Sequence, residues 1–379
     1  MDRKILHMSV LSMAMLCLWL SGMGTSANPF LNMVQPVVYG RNLAWSISSC
    51  MERIHEAMFG SISPLWTIQK DEIALSYPTS YELYPTEVAL SVLDDANQGE
   101  NSECYEDDEN TQAVCGPAAN GQGVVYTAEM LHDFQYFLNE FYVVDASTYV
   151  DGLLDSDVFM SMDLSVQMSG EEPKVLIYHT HSQEAFADSQ EGVWQDTVVG
   201  LGDRLKEELE VRYDVPVLHV TDTFDVIDGV TDRSEAYTYA EEKIWQVLAQ
   251  YPSIEVIIDL HRDGVDEDTR LVTSINGKDT AQMMLLNGLC RTTTNGPISY
   301  LQNDYLTENL AFSFQVQLKA AEYYPTLMRK IYLRSYQYNL HIMPRCLLVE
   351  CGAQTNTVEE AQNAMPLLAD LLYLVLSGG

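Results

Sequence analysis

Three apolar runs in this chain each end on a side chain able to bind a metal or move a proton. Lys174-Val175-Leu176-Ile177-Tyr178 leads into His179-Thr180-His181-Ser182-Gln183-Glu184. Ile254-Glu255-Val256-Ile257-Ile258-Asp259-Leu260 leads into His261, and Leu347-Leu348-Val349 leads into Glu350-Cys351-Gly352. Continuous apolar runs of this length read as strands covered on both faces. In an open α/β sheet the carboxyl ends of such strands are where ligands bind.

The spacing between the runs supports that sheet. It predicts a helix near 196–212, a strand at 215–220, a helix at 234–250 and a strand at 254–260. This alternation implies an α/β fold: a mainly parallel open sheet with helices on both faces. Asn276-Gly277 is a hairpin turn signal, so arms at 270–275 and 279–287 predict a β-hairpin inserted beside the sheet. Upstream, Thr127 caps a helix running to about 142. Downstream, the pattern gives a helix over 306–330 bent at Pro325, strands at 331–337 and 346–349, and a terminal helix at 358–376.

Before this region the chain divides by composition. Residues 1–27 carry Arg3 and Lys4, an apolar run and then small residues, the layout of a signal peptide or an N-terminal membrane anchor. Residues 28–93 have mixed patterns, with a helix expected at 43–58. Residues 94–123 are rich in Asn, Gly and acid around Glu106-Asp107-Asp108-Glu109 and read as a solvated linker. Those acids lack the Gly and closing Glu of a calcium loop. Cys104 and Cys115 flank them and suit a disulfide in an oxidising compartment. Cys290, Cys346 and Cys351 match no zinc ribbon and read as small buried apolar residues. The catalytic α/β domain is expected over 124–379. The formal charge is −35, from 55 acidic and 20 basic residues, which excludes a nucleic-acid partner.

The strand ends carry the parts of a zinc hydrolase. Such a site needs about three protein ligands, an open position and a separate carboxylate to move the proton. His181 and Glu184 are three apart, so one turn can aim both at one ion. His261 supplies a third ligand from a neighbouring strand, and Glu350 is left as the general base. Arg262 suits an oxyanion or a substrate carboxylate. Asp259 or Asp263 can orient a ligand ring. His179 is a rival ligand, since strand alternation puts it on the face of His181 if the strand continues. His219 reads as structural and His341 as outside the cleft. Cys351 has no histidine partner to make it a nucleophile.

These blocks carry a resemblance. Ile177-Tyr178-His179-Thr180-His181-Ser182-Gln183-Glu184-Ala185-Phe186, Asp259-Leu260-His261-Arg262-Asp263-Gly264 and Leu348-Val349-Glu350-Cys351-Gly352-Ala353-Gln354-Thr355-Asn356-Thr357 resemble the signature blocks of the stage II sporulation protein P family. Asn309-Leu310-Ala311-Phe312-Ser313, Ala320-Ala321-Glu322-Tyr323-Tyr324-Pro325 and Phe141-Tyr142-Val143-Val144-Asp145 extend it. The family is similar to zinc-dependent N-acetylmuramoyl-L-alanine amidases and, more distantly, to zinc carboxypeptidases. The resemblance implies a peptidoglycan hydrolase of forespore engulfment. It would cut the amide between the lactyl group and the stem peptide, with endopeptidase action also attributed to the family. It implies Zn2+, zinc ligands His181 and His261, and Glu350 as acid–base. It implies stage II sporulation proteins D and M as partners, and an extracytoplasmic location, membrane-anchored or secreted. The related amidases take their ligand glutamate from further along, where Gln195-Asp196 stands here, so Asp196 rivals Glu184. Two other readings stay open: a zinc peptidase acting only on stem peptides, and a catalytically silent wall-binding scaffold.

Overall fold

The structure, a computed structural model, describes residues 123–378 apart from positions 228 and 234. The segment 1–27, the region 28–93 with its expected helix, nearly all of the linker at 94–123 and the Cys104/Cys115 pair lie outside the described residues.

The frame is a seven-stranded sheet. Its spatial order is β1 (Tyr142–Val144), β12 (Ile331–Arg334), β9 (Met283–Gly288), β13 (Cys346–Ala353), β6 (Val256–Asp263), β2 (Val175–Tyr178) and β3 (Val217–His219). Every neighbouring pair is parallel except β9 with β13. So β13, β6, β2 and β3 form one parallel block whose carboxyl ends share an edge. All residues of β2, β9 and β13 are buried, as the continuous apolar runs require.

Helices cover both faces. The helices are α1 (Ala128–Leu131), α2 (Phe134–Phe141), α3 (Ser156–Ser161), α4 (Val198–Tyr213), α5 (Ala236–Gln250), α6 (Leu306–Tyr323) and α7 (Val358–Leu376). Val256, Ile258 and Leu260 of β6, with Leu347 and Val349 of β13, join the larger core beneath α4, α6 and α7. The alternate residues Ile257 and Leu348 face a smaller core with Ala240, Ile244 and Val247 of α5. Among the described residues no helix is long and apolar enough to cross a membrane.

Several expectations are corrected in detail. The helix at 127–142 is broken, because Asp133 caps α2 afresh by accepting from Tyr136 N and Tyr142 then begins β1. The hairpin is β7 (Val272–Ile275) with β8 (Lys278–Ala281), turned at Asn276 and Gly277 with φ of 53° and 75°. Its second arm stops at Ala281. Met283-Met284-Leu285-Leu286 is buried on both faces and enters the main sheet as β9. Helix α6 ends at Tyr323 instead of bending, since Pro325 disfavours the helical region at Tyr324, whose φ is −140°. Strand β6 runs on to Asp263, beyond the expected 260. Two small ribbons went unforeseen: β4 (Val226–Ile227) with β5 (Val230–Thr231), and β10 (Arg291–Thr292) with β11 (Gly296–Pro297).

The helical layer is locked by a buried carboxylate. Asp370 of α7 accepts from Tyr213 Oη and Tyr324 Oη at 2.5 Å each and pairs with Arg212 Nη2 at 2.6 Å. It thereby ties α7 to α4 and to the end of α6. A capping box of Thr357 and Glu360 fixes the start of the same helix. Asp370→Ala removes three charge-assisted bonds and strands two buried hydroxyls. We expect it to lower unfolding free energy by about 2–4 kcal/mol. Urea denaturation checks this, and a loss below about 1 kcal/mol contradicts the assigned role.

Candidate active site

Strand parity builds the site. Asp259, His261 and Asp263 alternate onto one face of β6, the face that carries Ile257 and the smaller core. Glu350 stands opposite His261 in the β13–β6 register, and the pairing slips between Glu350 and Ala353. Gly352 makes that slip with φ of 61°, and a Cβ there would come within 2.8 Å of Asn356 Oδ1. This bulge ends regular pairing just past Glu350.

The third contribution comes from a turn. Strand β2 stops at Tyr178, and Glu184 N donates to His181 O at 3.2 Å to close a tight turn. The His181 ring lies 5.3 Å from that of His261 and 5.6 Å from that of Tyr237, edge-on to each. Glu184 is fully buried; its Oε2 lies 3.4 Å from His261 Nδ1 and accepts from Arg262 N at 3.0 Å. The structure therefore draws His181, Glu184, His261 and Glu350 to one edge.

The other candidates are placed as follows. Asp259 accepts from Thr180 N at 2.9 Å and Thr180 Oγ1 at 2.6 Å, and lies 2.8 Å from His261 Nε2. It braces the His261 ring from behind. Asp263 accepts from Gly264 N and from Arg329 Nη1. His179 does not join His181, because the strand ends and parity turns it to the α4 side. There Nδ1 is 2.8 Å from Leu260 O and Nε2 is 2.8 Å from His219 Nε2. His219 Nδ1 in turn meets Asp203 Oδ1 at 2.8 Å, and only a glycine fits at 202 against both rings. Asp196 sits in a short 3-10 turn, and its carboxylate turns back to accept from Gln190 N. The carboxylate beside His261 is thus Glu184, not Asp196. Arg262 is also corrected: Nε donates to Ala185 O at 3.0 Å and Nη1 to Asp263 O at 3.1 Å. These bonds buttress the His181–Glu184 turn. The cation over Glu184 is Arg233, whose Nη1 is 3.4 Å from Oε1. Arg233 and Tyr237 were not foreseen; the Asp-Gly at 228–229 before Arg233 was the signal available for a hairpin there.

Electrostatics divide the roles. Burial lowers His181 to about 4, helped by the charge of His261. Burial would raise Glu184, but the hydrogen bond and charge of His261 outweigh it and bring the acid down to about 2. Burial would also lower His261, yet Asp259 and Glu184 hold it well above its usual range. Glu350 is pushed up to about 8, first by burial and then by Asp263 and Glu184, with His261 opposing.

The side chains gathered here are of the types a divalent cation takes. Among the described residues no group of three or more His, Cys, Asp or Glu side chains is disposed to hold a metal ion. However, His181 Nδ1, Glu184 Oε1 and Glu350 Oε2 are buried without hydrogen-bond partners, and with Nε2 facing Asp259 the His261 ring turns Nδ1 toward Glu184. Each such orphan destabilises by about 1–3 kcal/mol, and imidazole and carboxylate are zinc donors. The 3.4 Å between His261 Nδ1 and Glu184 Oε2 is close to the roughly 3.3 Å edge of a tetrahedron with zinc-length bonds.

A profile of the family described as Stage II sporulation protein P (SpoIIP) matches residues 68–373. The chain belongs to the stage II sporulation protein P family. Stage II sporulation protein P of Bacillus subtilis (strain 168) is 23% identical over 219 residues, covering 54% of this chain and 51% of that one. The chain thus spans about half the length of the curated relative it matches. Solved structures also resemble it. One is the catalytic domain of CwlV, an N-acetylmuramoyl-L-alanine amidase from Bacillus (Paenibacillus) polymyxa var. colistinus: 14% identity, 53% of this chain and 96% of that one, TM-score 0.29. Another is an N-acetylmuramoyl-L-alanine amidase from Clostridium difficile 630: 14% identity, 55% and 100% coverage, TM-score 0.32. A third is the CwlD amidase of Clostridioides difficile, solved with the GerS lipoprotein: 11% identity, 54% and 94% coverage, TM-score 0.29. Superpositions this loose carry no residue roles from one chain to the other.

Glu350 yields a prediction of sign. An acid raised from 4.5 to about 8 by folding adds nothing unfavourable below its unfolded value. Stability is then lost as pH rises toward the folded value. In chelator, Glu350→Gln should therefore gain melting temperature over the wild type, and the gain should grow from pH 5 to pH 8. A gain independent of pH would remove Glu350 as a strained buried acid.

Proposed function

We propose that this chain is a zinc-dependent peptidoglycan hydrolase of sporulation, an N-acetylmuramoyl-L-alanine amidase. It would cut the amide joining the lactyl group of the glycan to the stem peptide. One observation carries the reading: His181, Glu184 and His261 converge at one sheet edge, with the unpartnered Glu350 carboxyl in register beside them. Family membership supports the cell-wall and sporulation setting.

His181, Glu184 and His261 are the residues to hold zinc. When bound, the ion supplies Lewis-acid polarisation of the scissile carbonyl and lowers the pKa of water. Asp259 keeps the His261 ring oriented, itself fixed by Thr180. Arg262 holds the His181–Glu184 turn against β6. Glu350 accepts the proton of the attacking water at Oε2 and delivers it to the departing nitrogen. Its burial beside His261 suits an acid–base group whose two forms both matter near neutral pH.

The reading also places the protein outside the cytoplasm, delivered or anchored by residues 1–27 and spaced by the acidic linker from a catalytic domain over 124–379. Stage II sporulation proteins D and M are its proposed partners.

Purified protein should carry about one zinc per chain. His181→Ala and His261→Ala should each lose metal and activity together. Glu350→Gln should keep the metal while turnover falls about 100- to 10,000-fold. Zinc content by mass spectrometry and dye release from labelled sacculi check this. Near-normal digestion by Glu350→Gln would falsify the assigned base. The bond cut is a separate matter: digests of sacculi should show new amino termini on alanine. New termini only within the stem peptide would favour a peptidase, and an inert wall-binding protein a scaffold.

A further inference from the structure

Three arginines border the cluster, and two are already engaged. Arg262 is bound to the carbonyls of Ala185 and Asp263, and Arg329 donates to Asp263 Oδ2 at 2.7 Å. Arg233 is placed differently. Its 3.4 Å approach to Glu184 Oε1 is longer than a normal hydrogen bond, and that oxygen has no hydrogen-bond partner. The Arg233 side chain is 29% exposed and that of Glu184 0%. The guanidinium therefore reaches from the buried carboxylate to solvent.

The segment that carries Arg233 is pinned to the metal-type turn. Asp225 is fully buried and accepts from Ser182 Oγ at 3.1 Å, next to His181. Asp232 N donates to Asp225 O at 2.9 Å, closing the β4–β5 hairpin just before Arg233. A cation is thus held at the mouth by the same turn that presents His181 and Glu184.

The surroundings say what this cation meets. Glu184, Asp225, Asp259 and Asp263 lie buried at this edge in a chain of net charge −35. An anionic ligand entering there is repelled unless a positive group receives it. A guanidinium fork matches a carboxylate in two parallel bonds. We infer that Arg233 is a specificity residue that receives a free carboxylate of the peptide on the amine side of the scissile bond. The peptide's identity rests on the amidase reading; the carboxylate preference rests on the placement of Arg233.

The test is calorimetric binding of released-type peptides, which need no cleavage. The probes are L-Ala-γ-D-Glu-L-Lys and the same peptide with the D-Glu α-carboxylate converted to carboxamide, both amidated at the carboxyl terminus. The full chain should prefer the carboxylate peptide by about 10- to 100-fold, the range of a charged hydrogen-bonded pair. Arg233→Gln should erase that preference, and Arg233→Lys should restore part of it. Equal affinity of the wild type for both peptides overturns the inference. So does an equal loss of both in Arg233→Gln, which would make the arginine a prop. If the wild type keeps the preference but cleaves no wall, the amidase reading falls and the carboxylate subsite stands.

Discussion

The pairing of β13 with β6 governs this structure. It sets Glu350 beside His261 on one face, near the ends of two strands that are buried throughout except at Arg262. Because side chains alternate, a slip of one residue in either strand would turn Glu350 or His261 into the opposite core. The apolar residues between them prevent that slip. Val349 and Leu260 are committed to the larger core and Leu348 and Ile257 to the smaller one. Packing thereby fixes the chemistry: two buried layers hold the register, and the register holds an acid next to an imidazole.

The arrangement is costly on its own. Glu184, Asp259, His261 and Glu350 are nearly or fully buried, and several of their polar atoms lack hydrogen-bond partners. Burying charge without full compensation opposes folding, and natural proteins tolerate it chiefly where function needs it. The rest of the domain offsets this with continuous core and with locks such as Asp370 between α7, α4 and the end of α6. Orientation is shared out around the ligand-type residues. Thr180 fixes Asp259, Arg329 meets Asp263, and Arg262 holds the turn by its backbone carbonyl.

The strands that carry the site were legible because they are buried on both faces, which leaves a run no solvent-exposed alternative. The capped terminal helix at Val358–Leu376 was equally plain, as Thr357 and Glu360 mark its start. What could not be read was direction. His179 and His181 differ by two residues, yet the strand ends at Tyr178, before both, and one ring meets His219 while the other meets His261. Likewise Arg262 adjoins His261 in sequence and so faces away from it along β6, whereas Arg233 follows a ribbon of two-residue strands too short to show a period. The segment after the Asn276-Gly277 turn misled for a related reason. An apolar run reads the same whether it edges a hairpin or fills the centre of a sheet, and only the tertiary pairing of Met283–Gly288 decides.

The proposed chemistry requires one cation held by His181, Glu184 and His261, with Glu350 left free beside it. Anomalous diffraction from crystals grown with zinc, collected on both sides of the zinc edge, tests this most directly. The predicted result is a single peak about 2.0–2.2 Å from a ring nitrogen of each histidine and an oxygen of Glu184, with Glu350 uncoordinated. A peak between His179 and His219, or none at the sheet edge, would contradict it.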